Sequence, residues 1–255
     1  DSNLLSGTHN FIGFENFTRL SKDSDFWEAF LNTAIWTLVG VIAALVLGFS
    51  LALGLSKVKF LSRTIKSVFF LPLALSLVVV GFIWFWIYRY DFGLINIFLR
   101  AMGRDALTKD WLADPSTALI SVIIAWAWQQ VSLSMIIFLA GLTAVPADLM
   151  EASQVDGAKW RTQIRHVIIP SLAPAISVVI SLALINALKT FDIVYVMTQG
   201  GPYGKTRTLS ILSYREAFKS YDFGYSSAIA VVLFILTVTI IGGFMYLTRR
   251  GNQDE

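Results

Sequence analysis

Five long stretches without a charged residue constrain this chain more than any other feature of its sequence. Each is longer than the roughly 20 residues that an α-helix needs to cross a bilayer core of about 30 Å. Helices of soluble proteins seldom stay uncharged over such a length, because they usually keep a polar face. The sequence therefore predicts an all-α, polytopic membrane protein. The uncharged stretches cover residues 29–56, 67–88, 115–147, 167–188 and 223–248.

We place one membrane span in each stretch and predict a single transmembrane domain over residues 1–255. Only 15% of the residues are charged, whereas soluble proteins have about a quarter. No internal repeat or soluble appendage interrupts the pattern. Pro72 lies near the start of the second span and predicts a kink or a break there. The predicted spans cover residues 27–55, 65–88, 117–142, 172–188 and 226–247.

Motifs for catalysis or metal binding are weak in this sequence. The chain has no cysteine, and its two histidines, His9 and His166, have no ligand partners at helical spacing. The segment GGPYGKT ends like a phosphate loop, but Gln199 stands where that motif needs its first glycine. We therefore predict that the chain is not an enzyme, holds no metal and binds no nucleic acid.

Basic residues beside the spans indicate the orientation in the membrane. Counting Lys and Arg over whole loops does not separate the two sides. However, Lys57, Lys59, Arg249 and Arg250 lie in short segments that touch the span ends. This favours a cytoplasmic position for their side, which also holds the segment between the third and fourth spans. Asp1 is then outside and the C-terminus inside.

Polar side chains within the spans are candidates for a solute path, because such groups are costly in lipid. Gln129 and Gln130 lie near the middle of the third span, and Asn186 lies near the end of the fourth. They either form hydrogen bonds between helices or line a path, and the sequence leaves both open. Trp126 beside the glutamines would suit a sugar ring. The absence of charge deep in the spans disfavours a proton relay.

The segment EASQVDGAKWRTQIRHVIIP, residues 151–170, is a polar interruption between two apolar stretches. Pro146 and Asp148 predict the start of a short helix, and Gly157 predicts its end. A second helical piece, residues 159–167, leads into a proline. Such an element is either an interfacial helix on lipid headgroups or a docking element for a soluble partner, and these residues alone do not decide between them.

The same segment resembles the EAA loop of ABC importer permeases. That loop reads Glu-Ala-Ala, three residues, Gly, nine residues and Ile-x-Leu-Pro. This chain has Glu151, Ala152, Ser153 and Gly157 at the matching positions and ends in VIIP, residues 167–170. The segments FIGFENF, FWEAFLNT and VYVMTQGGPYGKTRTLSILSYREAF resemble further parts of the carbohydrate-uptake branch, the relatives of the maltose and glycerol-phosphate permeases. The resemblance covers essentially the whole chain.

This resemblance implies the fold and partners of a type I ABC importer. The family usually has six core spans, so a first span should precede Asp1. Two permease subunits, usually a heterodimer in this branch, form the path, and two ATPase subunits bind ATP and Mg²⁺ in the cytoplasm. An external solute-binding protein delivers the sugar. The chain itself would bind no cofactor and would lie among the lipids of a bacterial or archaeal cytoplasmic (inner) membrane.

The resemblance also assigns roles to individual residues. The cytoplasmic coupling loop, residues 146–169, would dock on an ATPase subunit, and the loop 189–222 would meet the binding protein. In the maltose permease the sugar site lies on the spans that flank the EAA loop. The implied ATPase-coupling residues are Glu151, Ala152, Ser153, Asp156, Gly157 and Pro170; the implied path residues are Trp126, Gln129, Gln130 and Asn186; the implied binding-protein contacts are Gly200, Gly201 and Pro202.

A neutral mono-, di- or oligosaccharide is the favoured substrate. Glycerol phosphate or another polyol is the alternative, but a phosphate would favour Arg or Lys in the path, and the spans offer only Lys189 at an edge. A stand-alone secondary transporter is less favoured. It would need ligands for a coupling ion or broken helices at mid-membrane, often in repeated halves.

Overall fold

The computed structural model describes Ser2–Asn3, Thr8–His9 and residues 12–57 and 67–251. In this part of the chain the fold is helical apart from one antiparallel pair of two-residue strands, β1 (Ser2–Asn3) and β2 (Thr8–His9). The predicted all-α class is therefore confirmed apart from this short pair. The helices are α1 Glu15–Lys22, α2 Ser24–Ser56, α3 Ser67–Ala74, α4 Leu77–Ile87, α5 Leu94–Ala101, α6 Ala118–Thr143, α7 Ala147–Val155, α8 Trp160–Ser171, α9 Ala173–Leu188, α10 Asp192–Met197, α11 Leu209–Phe218 and α12 Phe223–Gly251.

Among the described residues, three helices are long and apolar enough to cross a membrane, namely α2, α6 and α12. The pairs α3–α4 and α8–α9 pass the same test together but are bent by 110° and 71°. Counting each bent pair as one span gives the five spans that the sequence predicts. Large apolar side chains such as Phe82 and Phe234 are exposed along these helices, as expected where lipid covers the surface.

Pro72 lies beside the break in the second span, as the sequence predicts. Leu71–Ala74 forms a 3₁₀ turn, and the following Leu75 is extended. The Ser76 hydroxyl then accepts a hydrogen bond from the Val79 amide at 3.4 Å and caps the start of α4. Residues 65 and 66, the predicted start of this span, lie outside the described residues.

The other apolar helices begin and end within a few residues of the predicted spans. Helix α2 starts ahead of residue 27, because the polar Ser24 and Asp25 already form its first turn. Helix α12 extends past both ends of the predicted span 226–247. Polar residues at helix ends do not interrupt the backbone hydrogen bonds, so charge alone does not mark where a helix stops.

Two units make up the folded chain. The first comprises Asp1–Gly40, Ser76–Trp126 and Leu184–Glu255. Its core brings the start of α2 together with α1, α11 and α12. The buried side chains of this core are Leu20, Phe26, Ala29, Leu209, Leu212, Tyr225, Ala228 and Ile229.

The second unit comprises Val41–Leu75 and Ala127–Ala183. Gly141 permits a close approach within it, because a Cβ atom there would lie 2.6 Å from Cδ2 of Leu172. Such contacts at small residues are typical of helices packed in lipid. The prediction of a single membrane domain stays a prediction. The buried core of the second unit consists of Ala52, Leu55, Met135, Phe138, Ile168, Leu172 and Val179.

Candidate functional site

The short helix predicted in the coupling loop is present as α7. It begins directly after Pro146, whose fixed backbone favours a helix start. Asp148 lies in its first turn, where the positive end of the helix dipole stabilises a carboxylate. The local sequence rules therefore account for where this helix starts.

Helix α7 exposes most of its side chains, including apolar ones. Leu149 is 50% exposed and Val155 is 88% exposed. Glu151 and Ala152 are also exposed, and Ser153 is half-buried. Glu151 forms no ion pair with the residues that the structure describes. An exposed helix with apolar side chains is a surface on which a partner protein can dock.

Gly157 follows the end of α7 and adopts a left-handed backbone conformation. Its φ is +73°, and its amide donates to the Gln154 carbonyl at 3.0 Å. Asp156 before it is exposed and caps the helix end. After the turn, Trp160 opens α8, and the Lys57 ammonium lies 3.5 Å from the centre of its ring. This cation–π contact joins the helix after the turn to the end of α2.

Pro170 follows a π-helical turn in α8. Residues Ile164–Ile168 form this turn, which changes the register of backbone hydrogen bonds immediately ahead of the proline. Proline has no N–H to donate, so a register change at this point limits the number of unsatisfied carbonyls. Ile168 and Leu172 on either side are buried, which fixes the start of the fourth span.

Trp126, the first of the predicted path residues, is packed inside the first unit. It is 1% exposed. Its ring centroid lies 5.8 Å from that of Trp36, at an angle of 58°. Gly40 lies directly against the same indole, because a Cβ atom on Gly40 would be 2.5 Å from its Cζ3 atom. In this conformation the indole contacts the chain itself.

Gln129 forms side-chain hydrogen bonds at the break in the second span. Its side-chain nitrogen donates to the Pro72 carbonyl at 3.1 Å and to the Leu75 carbonyl at 2.5 Å. Both carbonyls lie at the helix break, where the Pro72 carbonyl also accepts a hydrogen bond from the Leu75 amide at 3.3 Å. In a lipid environment such groups must find a partner inside the protein. The two N–H groups of Gln129 are thus used within the second unit.

Gln130 and Asn186 differ in burial. Gln130 is 5% exposed, and its backbone carbonyl accepts a hydrogen bond from the Ser134 hydroxyl at 3.0 Å. Asn186 is half-buried. Of the four predicted path residues, Gln129 and Asn186 are therefore the ones that retain more than a small exposed surface in this conformation.

The tip loop, which we define as residues 198–207, is a tight turn held by its own hydrogen bonds. The Thr206 hydroxyl donates to the Gly201 carbonyl and lies beside the Thr198 hydroxyl, both at 2.7 Å. Gly200 has φ +88°, which suits glycine. The peptide bond between Gly201 and Pro202 is cis.

The three tip-loop residues that the resemblance implies as binding-protein contacts are not the most exposed residues of the loop. Gly200 is buried, and Gly201 and Pro202 are half-buried. Tyr203 next to them is 88% exposed. The sequence motif did not single out this residue, because the resemblance rests on the glycines and the proline. An aromatic side chain beside a glycine–proline turn is the signal that could have drawn attention to it.

Charged residues connect α1 and the first turns of α2 to the segment 205–222. Arg19 pairs with Asp222 at 2.6 Å, and Lys205 pairs with Glu28 at 2.7 Å. The hydrogen bond from Arg19 to Asp222 raises the pKa of the guanidinium. These pairs are largely exposed, so each contributes little to stability. They show that α1 and α2 lie against the segment 205–222.

A cavity of about 530 Å³ lies in the first unit, where the end of α9 meets α11 and α12. Lys189, Phe191 and Tyr214 are part of its wall, with Phe234 from α12. None of the four predicted path residues lines it. Among the described residues there is no group of three or more His, Asp or Glu side chains placed to hold a metal ion.

A comparison with protein families matches residues 37–250 to the model described as "Binding-protein-dependent transport system inner membrane component". The chain is 35% identical over 240 residues to the sulfoquinovosyl glycerol transport system permease protein SmoG of Agrobacterium fabrum, covering 94% of the chain and 77% of that protein. It is 32% identical over 229 residues to the trehalose/maltose transport system permease protein MalF of Thermococcus litoralis, covering 90% and 77%.

Among solved structures, the chain is similar to one in a bacterial ABC transporter involved in the import of the acidic polysaccharide alginate. The TM-score is 0.86 at 22% sequence identity, and the match covers 95% of this chain and 85% of that chain. At this level of identity the likeness concerns the fold.

Proposed function

Because this chain belongs to the binding-protein-dependent transport system inner membrane component family, we propose that it forms the solute path through which a carbohydrate enters the cytoplasm. It is a permease component of an ABC importer of the sugar class, since relatives named for sugar transport match nearly its whole length. Transport would proceed by alternating access, driven by ATP hydrolysis on separate subunits. The chain itself would be the pathway and not the ATPase.

The observation that carries the coupling role is the exposed helix α7 with its glycine turn. Leu149 and Val155 are apolar and face solvent in the single chain, a costly arrangement unless a partner covers them. A cytoplasmic ATPase subunit fits this place, because the basic residues near the span ends favour a cytoplasmic location for this side. We propose two ATPase subunits, which hold ATP and Mg²⁺, and a second permease subunit as partners in the inner membrane.

The solute proposed is a neutral mono-, di- or oligosaccharide. The helices α2, α4, α6 and α9 carry no Lys or Arg along their lengths, which leaves no cation to pair with a phosphate in the path. Gln129 and Asn186 are the two predicted path residues that are half-buried and retain exposed surface in this conformation. Trp126 and Gln130 are buried, so their contact with a solute would require a different conformation of the path.

The test is purification of the chain from a membrane that also contains its neighbouring gene products, followed by an ATPase assay in reconstituted vesicles. We expect an ATPase to co-purify and its turnover to rise with one solute-binding protein loaded with one sugar. The sugar that gives the rise identifies the substrate. A chain that purifies alone, with intact helices and no ATPase, would contradict the proposal.

A further inference from the structure

The outer end of α2 presents polar side chains to the tip loop and to the start of α11. Asp25, Glu28, Asn32 and Thr33 recur at helical spacing and therefore lie on one face of α2. All four contact residues between 204 and 209. Neither the sequence motifs nor the proposed function give Asn32 and Thr33 a role.

Asn32 binds both ends of one turn of the tip loop. Its side-chain nitrogen donates to the Gly204 carbonyl at 3.2 Å and to the Arg207 carbonyl at 3.0 Å. The Arg207 amide also donates to the Gly204 carbonyl at 2.8 Å. Asn32 is 6% exposed, so water does not compete for these hydrogen bonds. Both of its N–H groups are used to hold the turn on α2.

Thr33 joins the same face of α2 to the helix that follows the tip loop. Its hydroxyl donates to the Ala29 carbonyl at 2.7 Å and accepts from the Leu209 amide at 3.0 Å. Leu209 is the first residue of α11, where the backbone N–H has no partner in its own helix. Thr33 therefore supplies a missing acceptor from a distant part of the chain.

The exposed ion pairs add less to this attachment. Lys205 pairs with Glu28, and Arg207 pairs with Asp25 at 2.6 Å, but at least one side chain of each pair is open to solvent. Exposed pairs typically contribute little to stability. The buried hydrogen bonds of Asn32 and Thr33 are therefore the main contacts that attach the tip loop and the start of α11 to α2.

We propose that Asn32 and Thr33 are positioning residues that hold the tip loop in the shape an external solute-binding protein recognises. This inference rests on the proposed function. The loop keeps Gln199 at φ 53° and Tyr203 at φ 50°, a region that non-glycine residues occupy at a cost. Without the hydrogen bonds of Asn32 and Thr33 the loop populates other conformations. The apparent affinity for the binding protein then falls in proportion to the fraction of loops that keep the binding-competent conformation.

Thr33→Val and Thr37→Val form the matched pair that tests this role. Each exchanges a buried hydroxyl for a methyl group of the same shape. The Thr37 hydroxyl donates only to the Thr33 carbonyl of its own helix, at 2.8 Å, so this control removes a polar group without touching the tip loop. Asn32→Asp is a second variant, because it keeps the size of the side chain and removes both donors.

The measurement is ATPase stimulation in reconstituted vesicles, with the sugar-loaded binding protein from the assay above as the titrant. For Thr33→Val we expect the half-stimulating concentration to rise about fivefold, because losing one hydrogen bond costs about 1 kcal/mol. The rate at saturation should stay within about twofold, and Asn32→Asp should shift the midpoint further. Thr37→Val should match the wild type. Equal midpoints for Thr33→Val and Thr37→Val would overturn the positioning role.

Hydrogen–deuterium exchange separates this inference from the proposed function. In the purified transporter without binding protein, amides of residues 204–212 should exchange faster in Thr33→Val than in Thr37→Val. A wild-type transporter that no sugar-loaded binding protein stimulates would contradict the proposed function and, with it, the docking role. A stimulated wild type together with unchanged exchange and midpoint in Thr33→Val would contradict the positioning role alone.

Discussion

A Cβ atom on Gly40 would lie 2.5 Å from the Cζ3 atom of the Trp126 indole. The indole is 1% exposed and packs against Trp36, which is itself fully buried. Trp126 therefore cannot move aside without displacing a second large ring. The absence of a side chain at Gly40 is what lets Trp126 lie directly on the backbone of α2.

We predict that Gly40→Ala lowers the stability of the chain. Overpacking a filled site costs about 1–3 kcal/mol, more than the roughly 1 kcal/mol that Ala gains over Gly within a helix. Gly54→Ala is the matched control on the same helix, because none of the described residues comes within 4 Å of a Cβ atom there. Thermal unfolding in detergent, followed by tryptophan fluorescence, should show a lower midpoint only for Gly40→Ala. Equal midpoints would contradict the prediction.

A second prediction concerns the two carbonyls at the broken second span. Gln129→Met keeps a long side chain but removes the donors to the carbonyls of Pro72 and Leu75. The Pro72 carbonyl would keep the Leu75 amide as its donor, but the Leu75 carbonyl would lose the hydrogen bond from Gln129. An unsatisfied carbonyl inside the protein costs about 1–3 kcal/mol, so the melting temperature should fall. Gln154→Met on the exposed surface of α7 is the control and should leave it unchanged. If both variants melt together, the break does not depend on Gln129.

The long helices were predictable from sequence because lipid requires about 20 uncharged residues for each span, and this signal is local. Pro72 and Gly157 were equally informative, since a missing N–H and a left-handed backbone act on the chain where they stand. The same rules predicted the start of α7 from Pro146 and Asp148. The boundaries were less certain, because polar residues such as Ser24 can begin a helix as readily as apolar ones.

The contacts of individual polar side chains were not predictable from sequence. Asn32 reaches carbonyls 172 and 175 residues away, and no local pattern specifies such a distance. The sequence left open whether Gln129 forms helix contacts or lines a path. The structure shows its hydrogen bonds to the second span, while its role towards a solute stays a prediction, as it does for Trp126, Gln130 and Asn186.

A third prediction concerns the exposed side chain of the tip loop. Tyr203→Ala should raise the half-stimulating concentration of the sugar-loaded binding protein about thirtyfold, because aromatic side chains at the centre of an interface contribute about 2 kcal/mol or more. Tyr246, which is 63% exposed near the end of α12, provides the control Tyr246→Ala. This residue lies on the side predicted to face the cytoplasm, so its loss should leave the titration unchanged. An unshifted midpoint for Tyr203→Ala would exclude the side chain from the contact.

The last prediction concerns the glycine turn of the coupling loop. Gly157 has φ +73°, and none of the described residues lies within 4 Å of a Cβ atom built on it. There is therefore room for a side chain at this position, and only the backbone conformation disfavours one. A β-branched residue is strongly disfavoured in this region, whereas asparagine enters it with little strain.

Gly157→Val and Gly157→Asn thus separate backbone conformation from side-chain bulk. We expect Gly157→Val to lose sugar uptake while ATP hydrolysis continues, because a changed turn would move α7 relative to α8 and uncouple the ATPase from the path. Gly157→Asn should keep most of the uptake. The measurement is the ratio of sugar imported to ATP hydrolysed in the same vesicles. A normal ratio for Gly157→Val would show that the left-handed turn is not needed for coupling, and an equal loss in both variants would assign the effect to the surface of the loop.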